Sequence, residues 1–376
     1  MPISEISPDD SVAPMATAST PATIAWRTAA DRDRALRPQI PALVSPPTPR
    51  VGTGIELLGK GGAPVRYLDF DDIAPQTVNA SPTPETLQYD RGPAVVRVQV
   101  LLDRANFSTG VIDGHMAKNT QLAIYWFQYS QGLPPTGVIN PETYNRLATV
   151  AGTDRVIAPF IIDQQSLEGP FVRIPRSVYA QSRLECMCYS SPIELLAERF
   201  HTTPEVLRKL NPQTGFASLS AGTFIWAPSV QPTQNSQEKP VARIHISKSG
   251  NYVQALAADG SIVLHFPSTL GSMYDPSPDG KFEVIGVARY PTFAYDPKLF
   301  SDVPDTKPKA KLPPGPNSPV GTVWIALSKE HVGIHGTPTP ETIGSASSHG
   351  CVRLTNWDAE KLAGATSEGT PVEFVL

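Results

Sequence analysis

His335-Gly-Thr-Pro-Thr-Pro-Glu-Thr-Ile-Gly-Ser-Ala-Ser-Ser-His-Gly-Cys-Val-Arg-Leu354 is the stretch from which the rest of the chain is read. A cysteine reacts as its thiolate, so a catalytic one needs a base or a positive field, and histidine supplies both near neutral pH. His335 and Cys351 are the natural pair. Gly336, Gly344 and Gly350, with Pro338 and Pro340, predict a folded-back loop that lets the two ends meet. Ser348-His349-Gly350 then offers a tight turn whose amides can face a developing oxyanion, as acyl transfer requires. The alternative is a buried structural cysteine beside surface histidines.

Working upstream, Ala242–Ser247, Tyr252–Leu256, Ser261–Phe266, Phe282–Tyr290, Gly321–Leu327, Gly333–His335 and Val372–Leu376 alternate as strands. One helix interrupts them, from Asn356 to about Ala365, and Ala258-Asp-Gly260 reads as a hairpin turn. The Pro-rich interval from Pro291 to Pro319 is too irregular for a strand and too long for an idle hairpin, which suggests a lid. Tyr290, Phe293, Tyr295 and Phe300 are its candidate substrate-contacting aromatics, with core packing as the alternative.

The HG followed by SHGCVRL resembles the signature of the L,D-transpeptidase (YkuD-type) catalytic domain. The resemblance extends through Asp279-Gly280-Lys281-Phe282, Pro291–Pro297, Pro313–Gly321 and Val323–Leu327, and so covers residues 241–376. It implies a mainly-β sandwich with Cys351 as nucleophile and His335 as base, and no metal or cofactor. The carbonyl of Gly336 would orient the imidazole without a side chain, so an alanine there is expected to be mild. The amides around His349, Gly350 and Cys351, with Ser348 in the same turn, would hold the oxyanion. Arg353 would bind a substrate carboxylate or brace the loop. The implied reaction acts on peptidoglycan stem tetrapeptides: a thioester forms, D-alanine leaves, and a neighbouring amine takes the acyl group to give a 3→3 crosslink. The rivals are an L,D-carboxypeptidase, a transpeptidase that anchors lipoproteins, and a catalytically silent peptidoglycan-binding protein.

The whole chain reads as multidomain α+β. Residues 91–150 carry Val96, Val100 and Leu101 on one helical face, a turn over Phe107–Gly114, and a second helix over Asn119–Gln131 closed by Gly132. A third helix starts at Pro141 behind an Asn140 cap. Leu101-Leu102, Asp113-Gly114, Thr120, Ala123, Phe127-Gln128, Gly132-Leu133, Gly137 and Thr143–Leu147 resemble a type-1 peptidoglycan-binding domain. Residues 151–180 read as a connector, with short strands at Phe160–Asp163 and Phe171–Ile174. In residues 181–229, Ser191-Pro and Thr203-Pro each cap a helix, and Leu219–Pro228 supplies a closing strand. That arrangement resembles a LysM module, with Cys-Met-Cys-Tyr-Ser in place of the usual opening strand, and its role is sugar binding or purely structural. Residues 230–240 are a polar linker. Residues 1–90, rich in Pro and Ala, read as largely extended, with a short strand at Val65–Phe70.

Length and composition agree with several domains: 376 residues carry 40 prolines, which implies many extended connections. A net charge of −4, with no basic stripe, argues against nucleic acid as a partner. No apolar run is long enough to span a bilayer. Met1–Asp10 shows no export signal, although the chemistry implied belongs in the periplasm or cell envelope. Of the three cysteines, Cys351 is expected to be free. Cys186 and Cys188 are too close for an easy disulfide within one strand and are expected to be inert or structural. His115, His201, His245 and His265 form no metal-spaced cluster.

Overall fold

A computed structural model describes residues 57–58, 64–65, 73–80, 91–152, 155–230, 239–300 and 303–375. Most of the 1–90 region, and all but Val65 of the expected Val65–Phe70 strand, lie outside the described residues, as does most of the 230–240 linker. Strands β1 (Leu57–Leu58) and β2 (Pro64–Val65) pair, and helix α1 (Pro75–Ala80) precedes the first compact unit.

That unit is three helices: α2 (Pro93–Arg104), α3 (Lys118–Ser130) and α4 (Pro141–Ala151). The Asn140 side chain accepts from the Thr143 amide, as its place before Pro141 predicts, and Gly132 takes a left-handed φ of 70° just after α3. Leu101, Leu102, Trp126, Phe127 and Leu147 are fully buried. The core does not end at the unit's edge: the Trp126 ring lies 5.2 Å from Tyr252, and Phe107 stacks on His265 at 6.1 Å.

Next comes a strand–helix–helix–strand unit, with α6 (Pro192–Arg199), α7 (Pro204–Leu210) and the closing strand β4 (Phe224–Pro228). Ser191 and Thr203 cap the helices through their hydroxyls. The opening strand is β3 (Ile157–Ile161), which pairs antiparallel with β4 and lies in the segment read from sequence as connector. Phe171–Ile174 is not a strand, and a short helix α5 (Val178–Gln181) follows it. Cys186 and Cys188 are joined in a disulfide, contrary to expectation. The expectation assumed an extended strand, where residues two apart sit about 6.6 Å from each other, near the upper end of the bonding range; Cys186–Cys188 is instead irregular backbone that brings the two Cα atoms to 5.2 Å.

The C-terminal unit is mainly β, as expected, with the expected helix α8 (Asn356–Ala365). Its strands are β5 (Arg243–Ser247), β6 (Tyr252–Leu256), β7 (Ile262–Pro267), β8 (Gly280–Arg289), β11 (Val323–Leu327), β12 (Gly333–His335), β13 (Val352–Arg353) and β14 (Pro371–Val375). They form a single sheet in the order β13-β12-β11-β8-β14-β5-β6-β7. The sheet curls until its ends meet, because Thr269, just past β7, exchanges both backbone hydrogen bonds with Arg353 of β13. Inside lie Ile244, Phe266, Val323, Ile325, Ile334, Val352 and Phe374, with Leu362 of α8 packed among them. The Pro291–Pro319 interval holds a two-stranded ribbon that sequence reading missed, β9 (Phe293–Tyr295) with β10 (Ala310–Leu312). Among the described residues, no helix is long and apolar enough to cross a membrane.

Candidate active site

The register of two short strands brings the chemistry together. β12 and β13 run parallel, with Ile334 opposite Val352 and His335 opposite Arg353. Side chains alternate along a strand, and Ile334 and Val352 are wholly buried on the core side. His335, Arg353 and Cys351, which directly precedes β13, therefore share the other face. All three line one cavity of about 590 Å³.

His335 is held on two sides. Its Nδ1 lies 2.7 Å from the Gly336 carbonyl, and its ring stacks on Trp324 at 5.3 Å and 16°. Trp324 is the cross-strand partner of His335 in the β11–β12 ladder. Gly333 makes room for the indole, since a Cβ there would sit 2.5 Å from it. With Nδ1 donating to a carbonyl, Nε2 is left as the acceptor nitrogen.

Cys351 is the free cysteine among the described residues. Its thiol donates to the His331 carbonyl at 3.6 Å. Burial pushes this thiol above its ordinary pKa, opposed by the Gly333 amide and the Arg353 charge. Burial also pushes His335 down to about 4, against the Gly336 hydrogen bond, which raises it. Both shifts favour the neutral forms, thiol and imidazole.

The turn before the nucleophile is braced from within. Ser348 is buried, its Oγ donates to the Cys351 carbonyl at 2.6 Å, and its backbone pairs with the segment after β7 through Leu270 and Ser272. Gly350 sits at φ 102°, a conformation that favours glycine. His349 packs edge-on against Phe300 of the Pro291–Pro319 interval. Arg353 has no hydrogen bond or ion pair from its guanidinium among the described residues, and burial lowers its pKa.

Phe293, Tyr295 and Phe300 line the cavity, whereas Tyr290 stands outside it, exposed and at φ 48°. His331 is exposed, occupies a turn at φ 62° and lines the cavity. Alanine at Gly336 is not mild in this geometry: an ideal Cβ there falls 2.0 Å from Asn356 Oδ1. Asn356 escaped sequence reading, as did Trp324. Trp324 is placed by the register of β11 against β12, which is set only in the folded sheet, and no local pattern marks Asn356.

The L,D-transpeptidase catalytic domain model, YkuD, matches residues 241–374, and the model described as "Putative peptidoglycan binding domain" matches residues 91–147. The chain is 31% identical over 182 residues to "Putative L,D-transpeptidase YkuD" of Bacillus licheniformis, covering 48% of this chain and 92% of the relative. It is 29% identical over 178 residues to the protein of the same name in Bacillus subtilis, covering 47% and 89%. A crystal structure of an L,D-transpeptidase from Xylanimonas cellulosilytica aligns over 78% of this chain and 99% of that one, at 16% identity and a TM-score of 0.35.

Proposed function

Because the chain belongs to the YkuD L,D-transpeptidase family, we propose that it crosslinks peptidoglycan stem peptides through a thioester on Cys351. As a donor stem enters the cavity, Nε2 of His335 takes the thiol proton while sulfur attacks the carbonyl of the third residue. The amides of the His349–Cys351 turn receive the oxyanion. The protonated imidazole then gives its proton to the departing D-alanine amine as the carbon–nitrogen bond breaks, leaving the thioester. An amine of a second stem, deprotonated by His335, attacks the thioester and releases the thiol, giving the 3→3 link.

The observation that carries this reading is the shared face of His335, Cys351 and Arg353 at the floor of one cavity. Because burial holds both thiol and imidazole neutral, proton transfer belongs to the attack step and not to a standing ion pair. Arg353, charged and without a protein partner among the described residues, is available to a carboxylate of the stem. The helical unit over residues 91–147 would hold peptidoglycan, a role that supports a location in the periplasm or cell envelope. The strand–helix–helix–strand unit is proposed as LysM-like in form.

Incubation with a disaccharide tetrapeptide, followed by mass analysis, tests the reading. A crosslinked dimer with release of D-alanine, absent in Cys351→Ala, is expected. Tripeptide alone would assign water as acceptor, and binding without any product would leave a peptidoglycan-adhering scaffold.

A further inference from the structure

Helix α6 of the middle unit places Glu194 and Glu198 four residues apart, hence on one face, and that face meets the catalytic domain. Both oxygens of Glu198 accept from Asn356 Nδ2 at 3.1 Å, and Tyr189 OH donates to Oε1 at 2.8 Å. Glu194 Oε1 accepts from Asn317 Nδ2 at 2.7 Å. Asn356 is 1% exposed and is held from both ends, its Oδ1 accepting from the amides of Thr322 at 3.2 Å and Thr337 at 3.1 Å. Gly321 and Gly336 flank this oxygen so closely that a Cβ on either would fall within 2.0 Å of it. Gly336 also supplies the carbonyl that fixes His335 Nδ1.

We propose that Glu198 and Asn356 are positioning residues for His335: the middle unit, through Glu198, sets the Asn356 side chain that pins the Gly336–Thr337 backbone and with it the tautomer and aim of the imidazole. The middle unit is then a working part of the active site, whatever else it binds. This role rests on His335 being the base proposed above. A carboxylate is suited to the task because an amide NH2 needs acceptors on its outer side, and three oxygens, two from Glu198 and one from Pro316, surround Asn356 Nδ2.

The test is a reciprocal swap in the full-length protein. Asn356→Asp keeps an oxygen for the two amides but sets a carboxylate against Glu198, and its kcat should fall by about 10- to 100-fold with KM little changed. Glu198→Gln in the same protein gives that carboxylate a donor, and the double variant should recover most of the loss. Glu198→Ala should lose kcat similarly, and Glu205→Ala on the exposed side of α7 should not. The imidazole is followed without substrate by the downfield proton resonance of His335 Nδ1–H, assigned by its loss in His335→Ala. It should shift or broaden in Asn356→Asp and return in the double variant. Wild-type kcat and an unmoved resonance in folded Asn356→Asp would overturn the proposal, as would a loss that Glu198→Gln leaves untouched. If the wild type makes no product yet the resonance moves and returns as described, the positioning stands and the transpeptidase reading fails.

Discussion

Gly336 serves twice by lacking a side chain. Its carbonyl reaches His335 Nδ1 at 2.7 Å, and its bare Cα lets Asn356 Oδ1 approach where a methyl would collide. Gly336→Ala is therefore expected to lose about 1–3 kcal/mol of stability, read by denaturant unfolding, because Asn356 is buried and cannot yield without dropping its hydrogen bonds. Its kcat should fall by about tenfold or more, read in the crosslinking assay. His335 and Cys351 were legible in sequence because imidazole and thiol carry chemistry that few other side chains can, and the glycines between them marked a closing loop. Asn356 and Glu198 were not legible, because their task is to be the right shape in the right place, and only the packing of α6 against α8 defines that place.

Among the elements, the long strands were readable from alternation, as in β5 through Ile244 and Ile246, and the helix starts from their Ser, Thr or Asn caps and following prolines. The β9–β10 ribbon was not, since three-residue strands offer no period to count. Its position depends on the middle unit. Met187 N donates to the Pro314 carbonyl and Asn317 N to the Met187 carbonyl, both at 2.9 Å, while Tyr179 OH donates to Pro308 O at 3.2 Å. The disulfide between Cys186 and Cys188 thus closes the loop that seats the foot of the ribbon. Gly315 allows the approach, with φ 148° and a Cβ position 2.2 Å from Met187 O. Gly315→Ala should push the ribbon outward and raise KM for the stem peptide by about fivefold with a smaller change in kcat, measured by steady-state kinetics.

Across the whole molecule the three units meet at buried ionisable groups. His201 of the middle unit bonds Asp103 of the helical unit at 2.9 Å and stacks on Trp357 at 5.0 Å, while Ser108 Oγ donates to Asp358 at 2.9 Å. The separate units were legible in sequence as changes of pattern; their docking was not, because residues such as His265 and Asp358 read as ordinary polar positions until the surfaces close over them. Burial, aided by the Asp103 charge, raises Asp358 to about 7. Its unfolded value is about 4, so the folded state binds the extra proton, and this group's contribution to stability is whole below pH 4 and is lost as pH rises through 7. Buried His335 and His265, lowered to about 4 and about 3, act in the opposite sense, their contribution being whole above about pH 6.5 and lost as pH falls. Asp358→Asn, which keeps an acceptor for Ser108, should therefore raise Tm relative to wild type more at pH 8 than at pH 4, measured by calorimetry. The central claim is that a single sulfur carries the acyl group, and mass spectrometry of protein quenched during turnover of a stem tetrapeptide tests it most directly. The account predicts a tripeptidyl adduct on the peptide containing Cys351, with one D-alanine released per adduct; an adduct on another residue, or products formed at full rate by Cys351→Ala, would contradict it.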